Sequence, residues 1–217
     1  MMFVPLCPQL EKLTIYDSRR DVRCAPRPLS CPKLKTLKIN NLEWLKSMPS
    51  EYTQFLSEID ISFDKRMERL GEVNEFPTYL LSSVRTLCIN LCPKLKSLGG
   101  WLEHLSALEK LRIEHCPNVV FDGMSWHNLA ATLQYLALIE LNEMEELPEG
   151  IQFCTSLRLL TIMYCRKLKS IPKWMPKLTS LQELYIRCLN SPLTEKCQKP
   201  NGEDWPLVRH ISRLTVW

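Results

Sequence analysis

A six-residue phrase, Leu-x-x-Leu-x-Ile, returns about every 24 residues and constrains this chain more than any other feature. Its clearest copies are Leu34-Leu37-Ile39, Val84-Leu87-Ile89, Leu108-Leu111-Ile113, Leu133-Leu136-Leu138, Leu157-Leu160-Ile162 and Leu181-Leu184-Ile186. From Val84 to Leu181 the first positions stand 24 or 25 residues apart. Looser copies at Leu10-Leu13-Ile15, Leu56-Ile59-Ile61 and Ile211-Leu214-Val216 bring the series to nine units. Within each unit the apolar residues end in a period of two, which is that of a strand with one buried face. A strand repeated at a fixed interval of this length builds stacked coils around a shared core.

The expected fold class is therefore an α/β-type solenoid, a leucine-rich-repeat horseshoe. Its parallel β-sheet lines the concave face, and mostly loops or short 3₁₀ or helical turns cover the convex face. Nine strands at about 4.8 Å spacing give a ladder roughly 40 Å long. Corners such as Cys92-Pro93 and Cys116-Pro117 stop the strands, because Pro cannot donate to a ladder. Returning segments such as Leu95–Leu98 and Leu168–Ile171 lead back toward the next strand. Residues 1–217 are read as one leucine-rich-repeat domain of about nine irregular repeats. Wider gaps, from Leu56 to Val84 and from Leu181 to Ile211, predict loop insertions near 72–79 and 191–206.

The chain has ten cysteines. Cys92, Cys116 and Cys165 each follow the last apolar residue of a strand by three positions, and Cys188 falls one short of that register. A residue recurring at the coil period stacks along the solenoid, so these read as reduced, buried corner residues rather than a disulfide framework. Cys88, Cys92, His115 and Cys116 come close enough in register to raise zinc, but the spacing is not a zinc pattern, and no metal or cofactor is expected. His104 and His127 are expected at the convex surface. Trp101, Trp126, Trp174 and Trp205 are expected to cover the core from the convex side.

Net charge is only +4, with no basic run interleaved with aromatics, which argues against nucleic acid. No apolar stretch approaches the roughly 20 residues of a membrane span. The segment Met1–Pro8 has no basic residue and two prolines, unlike a secretory signal, so a cytoplasmic location is expected. A phosphate loop, His-Glu-x-x-His and Gly-x-Ser-x-Gly are all missing, and the chain is not read as an enzyme.

Recognition is the remaining function class. The third, fifth and seventh positions of each phrase point away from the core, onto the concave face. Most are polar, for example Lys12, Thr36, Glu58 and Lys110. The sixth and seventh units depart from this habit, giving an apolar patch of Tyr135, Ile139, Leu159, Met163 and Tyr185. Arg112, Glu114, Glu183 and Arg187 rim it. An apolar area with a charged rim suits a protein partner. The competing reading is that these side chains pack beneath neighbouring loops.

The corner phrases Leu91-Cys92-Pro93-Lys94-Leu95-Lys96-Ser97-Leu98 and Tyr164-Cys165-Arg166-Lys167-Leu168-Lys169-Ser170-Ile171-Pro172 are distinctive, as is Leu178-Thr179-Ser180-Leu181-Gln182-Glu183-Leu184-Tyr185-Ile186. Together with the tail Gly202-Glu203-Asp204-Trp205-Pro206-Leu207-Val208-Arg209-His210-Ile211, they resemble the leucine-rich-repeat region of plant nucleotide-binding leucine-rich-repeat disease resistance proteins of the coiled-coil type. The resemblance implies a module of innate immunity that senses pathogen effectors or guarded host proteins and restrains a nucleotide-binding module. That module, with its phosphate loop, does not occur in this sequence, so the chain reads as the C-terminal part of a receptor. The alternative is a free-standing adaptor or decoy, or a truncated gene fragment without independent activity.

Overall fold

A computed structural model of the chain describes residues 7–16, 31–46, 48, 55–121, 123–188, 192–198 and 200–217. The segment read for a secretory signal lies largely outside the described residues, as do positions 191 and 199 of the expected insertion at 191–206. Among the described residues nine strands form one parallel sheet in chain order. They are β1 (Lys12–Ile15), β2 (Thr36–Ile39), β3 (Glu58–Ser62), β4 (Thr86–Asn90), β5 (Lys110–Glu114), β6 (Tyr135–Ile139), β7 (Leu159–Met163), β8 (Glu183–Arg187) and β9 (Arg213–Val216). Each begins two residues after the first position of a phrase. The chain is a leucine-rich-repeat solenoid.

Register explains the core. Leu37, Ile59, Leu87, Leu111, Leu136, Leu160 and Leu184 pair in succession across β2 to β8. Each is essentially without exposed surface. Ile39, Ile61, Ile89, Ile113, Leu138, Ile162 and Ile186 form a second such column. In the outer strands Leu13, Ile15, Leu214 and Val216 are only half-buried, because an end coil has a neighbour on one side.

The convex side is built from single turns, as short connections allow. The 3₁₀ turns Trp101–His104, His127–Leu129, Glu149–Phe153 and Met175–Lys177 each follow a returning segment. Short helices occur at α1 (Glu43–Lys46), α2 (Leu80–Ser83), α3 (Pro192–Lys196) and α4 (Trp205–Val208). Residues 72–79 carry the 3₁₀ turn Val73–Glu75 ahead of α2, and α3 and α4 fall in or beside the 191–206 stretch. Trp101 and Trp126 are buried under these turns, Trp174 nearly so, and His104 and His127 are exposed.

Phe76 stacks on Trp101 with ring centroids 4.6 Å apart. Trp101 is brought there by Gly100, whose φ is +82° and whose missing side chain leaves room for the Gly71 carbonyl. A Cβ on residue 100 would lie 2.3 Å from that backbone oxygen. Gly100→Ala is therefore expected to cost about 3 kcal/mol, combining a left-handed backbone with a clash that no rotamer relieves. Thermal unfolding of the variant checks this, and a Tm within a degree or so of the parent would refute it.

One feature of the strand exits has no sequence signal. Phe63, Leu91, His115, Glu140 and Tyr164 all have positive φ, between 52° and 66°. Each stands two residues after an inward Ile or Leu. Their amides donate to Asn90 O, Glu114 O, Ile139 O, Met163 O and Arg187 O of the next coil, at 2.6–3.1 Å. These bonds extend the ladder past the strand and hold side chains that rarely adopt this conformation.

The left-handed step turns the following residue inward. At that place stand Asp64, Cys92, Cys116, Leu141 and Cys165, all buried. Among the described residues nine cysteines are free. The corner thiols donate to backbone carbonyls, Cys92 to Asn90 O at 3.3 Å, Cys116 to Glu114 O at 3.2 Å and Cys165 to Met163 O at 3.4 Å. Burial pushes the Cys154 and Cys165 thiols up to about 12, so neither is a ready thiolate.

Candidate functional site: the concave face

Outward residues of the strands form three columns across the sheet. Over β5 to β8 the first column runs Lys110, Tyr135, Leu159, Glu183, and the second Arg112, Ala137, Thr161, Tyr185. The third runs Glu114, Ile139, Met163, Arg187. All nine residues singled out from the sequence thus lie on four adjacent strands. Tyr135, Ile139, Leu159, Met163 and Tyr185 are each half-buried, so they retain accessible surface at outward positions.

The middle column is outward by alternation but lies deeper than its flanks. Ala137 and Thr161 are small and buried, with larger residues on every side of them. Tyr135 and Leu159 stand at one end, Ile139 and Met163 at the other, and Arg112 and Tyr185 across the flanking strands. The longer side chains close over these two short ones, so the half-buried Tyr135, Leu159, Ile139 and Met163 form a continuous apolar patch on the face.

The expected rim is only partly free. Glu114 is buried rather than exposed, and Arg112 holds it, with Nε 2.8 Å from its carboxylate. Glu183 accepts from Tyr185 Oη at 2.7 Å and pairs with Arg213 at 3.2 Å. Those two contacts hold its carboxyl below the usual carboxylate range. Arg187 is exposed and has no carboxylate partner among the described residues.

Instead, the Arg187 guanidinium lies 5.5 Å from the Tyr164 ring and 5.9 Å from the Trp217 ring. Trp217 also stacks on Tyr185 at 6.3 Å and is half exposed. Trp217 occupies the seventh position of the last phrase, so its place was readable. Tyr164 lies in the left-handed corner, where the strand pattern has ended.

The N-terminal half of the face is polar and internally paired. Lys38 reaches Asp60 at 3.0 Å, and that hydrogen bond raises the lysine's pKa. Thr36 Oγ1 donates to Glu58 at 2.9 Å, and Ser62 bonds Asp60. The residues weighed for zinc are dispersed in role. Cys88 is outward, Cys92 and Cys116 are in the core, and His115 Nδ1 and Nε2 meet Asn90 at 3.0 Å and Glu140 at 3.1 Å. Among the described residues no three His, Cys, Asp or Glu gather as metal ligands, and no helix is long and apolar enough to cross a membrane.

No family model matches the chain. It is 27% identical over 215 residues to the disease resistance protein RPP8 of Arabidopsis thaliana, a match covering 94% of this chain and 23% of RPP8. A shorter match to the probable disease resistance RPP8-like protein 4 of Arabidopsis thaliana is 44% identical over 72 residues, 32% of this chain and 8% of that protein. The chain thus spans about a quarter or less of the length of these curated relatives. Among solved structures, the leucine-rich repeat domain of the type III effector XCV3220 (XopL) superposes with a TM-score of 0.62 at 18% identity, covering 95% of this chain and 68% of that one. The chain is a leucine-rich-repeat solenoid whose sequence is similar, over nearly its whole length, to the disease resistance protein RPP8 and, over shorter stretches, to other disease resistance proteins of Arabidopsis thaliana.

Proposed function

We propose that this chain is the protein-recognition module of an intracellular plant immune receptor, binding through its concave face. The observation that carries the reading is the half-buried apolar patch of Tyr135, Leu159, Ile139 and Met163 around the buried Ala137 and Thr161, on a face whose β2 and β3 carry polar pairs. Likeness to RPP8 supplies the biological setting. The partner is a pathogen effector or a guarded host protein. A second contact restrains the receptor's own nucleotide-binding module, and the site of action is the cytoplasm. Binding here is contact between preformed surfaces, without a cofactor.

A display library of plant-proteome and pathogen-secretome fragments, selected on the purified chain, tests this. Selected fragments should lose binding to Leu159→Asp and keep it on His104→Asp, a convex substitution at an exposed position. The expected loss is roughly tenfold or more, the size of a hot-spot truncation. Fragments that bind Leu159→Asp as well as the parent would remove the concave face from the proposal. The sources of the fragments separate effector sensing from host-protein guarding.

A further inference from the structure

Arg187 differs in its surroundings from the other arginines of the central and C-terminal concave face. Arg112 is tied to Glu114 and Arg213 to Glu183. Arg187 meets two aromatic rings, Tyr164 of the coil before and Trp217 of the coil after. Backbone hydrogen bonds fix both neighbours. Tyr164 N donates to Arg187 O at 2.6 Å, and Trp217 N donates to Ile186 O at 3.1 Å.

A ring face attracts the flat face of a guanidinium and leaves the N–H groups at its edge unused. Two rings within 6 Å of the guanidinium also restrict a long side chain before any ligand arrives, so less freedom is lost on binding. The result is a preorganised fork of donors, matched in shape to a carboxylate. The surrounding field has the same preference. Residues 158–217 carry eleven Lys or Arg against four Asp or Glu. A single available guanidinium, with Arg213 already committed to Glu183, suits one carboxylate better than a phosphate, which is usually met by arginine clusters.

Distance to the apolar patch follows from sheet geometry. Arg187 is one strand over from Thr161 and two residues further along. At about 4.8 Å between strands and 3.3 Å per residue, that is roughly 8 Å. An extended peptide covers this in two or three residues.

We propose that Arg187, flanked by Tyr164 and Trp217, is the carboxylate-binding anchor of the concave face. The segment it receives presents an Asp or Glu two or three positions from the apolar side chain that packs on the patch around Ala137 and Thr161. This rests on the concave face being the recognition surface and goes further by naming the chemistry of the partner.

Random peptides displayed on phage and selected on the purified chain at low ionic strength test the proposal. The enriched sequences should share an acidic residue two or three places from a large apolar one. Arg187→Gln should weaken a synthetic peptide of that sequence roughly tenfold or more by fluorescence polarisation, with the thermal transition of the protein unchanged. Arg187→Lys should not restore it, because an ammonium has neither the fork nor the stacking plane. Replacing the peptide's acid by its amide should give the same loss, and combining the two changes should add little. Peptides that fail on Leu159→Asp but bind Arg187→Gln normally overturn the anchor and spare the concave surface. Peptides indifferent to both substitutions overturn both readings, as does a selection that enriches nothing.

Discussion

Leu160→Asp is expected to unfold this chain at ambient temperature, while Leu159→Asp, one residue earlier, leaves it folded. Leu160 is fully buried and stacks between Leu136 and Leu184 in the central part of the sheet. Losing a buried leucine costs about 2–5 kcal/mol. An unpaired carboxylate in the same place adds a desolvation penalty of several more. The sum is comparable to the 5–15 kcal/mol that holds a typical domain together. A solenoid also has little redundancy, because each coil contacts only its neighbours and a break in the middle uncouples two halves. Leu159 is half-buried on the opposite face of the same strand, where an aspartate keeps access to water, and its cost is about 1 kcal/mol. Urea unfolding followed by far-UV circular dichroism separates the two. Equal destabilisation by both would mean that the faces of β7 have been assigned the wrong way round.

That contrast rests on a pattern visible in the sequence, and the reason is the period of two. From Leu10 to Ile211 each phrase has its second and third apolar residues on alternate positions, and each phrase became a strand starting at its third residue. Alternation also placed the nine outward residues on four adjacent strands. What alternation cannot give is the depth or the pairing of an outward side chain. Glu114 was expected on an exposed rim and is buried, because Arg112 bends over it. Alternation places Ala137 and Thr161 outward, but their smallness lets the larger neighbours close over them, so both are buried. The left-handed exits were equally silent. Phe63, Leu91, His115, Glu140 and Tyr164 share no chemistry, and the hydrogen bond each makes to the next coil is a property of the stack.

Asp64 shows how far a register argument reaches. It holds the corner position that Cys92, Cys116 and Cys165 hold in later coils, and a repeat reading treats the four as equivalent. Their hydrogen bonds differ in balance, since a thiol takes only a weak bond from the amide of the preceding corner. The thiols donate to carbonyls, whereas the Asp64 carboxylate accepts from Leu42 N, Arg66 N and Met67 N, each at 3.0 Å. The first of these bonds ties β3's corner to the preceding coil. Asp64→Ala leaves two buried amides and one less enclosed amide without an acceptor, at about 1–3 kcal/mol for each buried donor, so a loss of about 3–4 kcal/mol is expected. Asp64→Asn keeps one accepting oxygen and should lose about half as much. Asp64→Cys is the discriminating variant. If the corner only needs a small, buried side chain, cysteine should restore stability, as it fills the same place in three other coils. If it needs acceptors, cysteine should be nearly as damaging as alanine, since a thiol accepts weakly. The acceptor requirement is the expected outcome. Amide hydrogen exchange at Leu42 and Met67 checks it locally, because those amides lose protection only when their acceptor is gone.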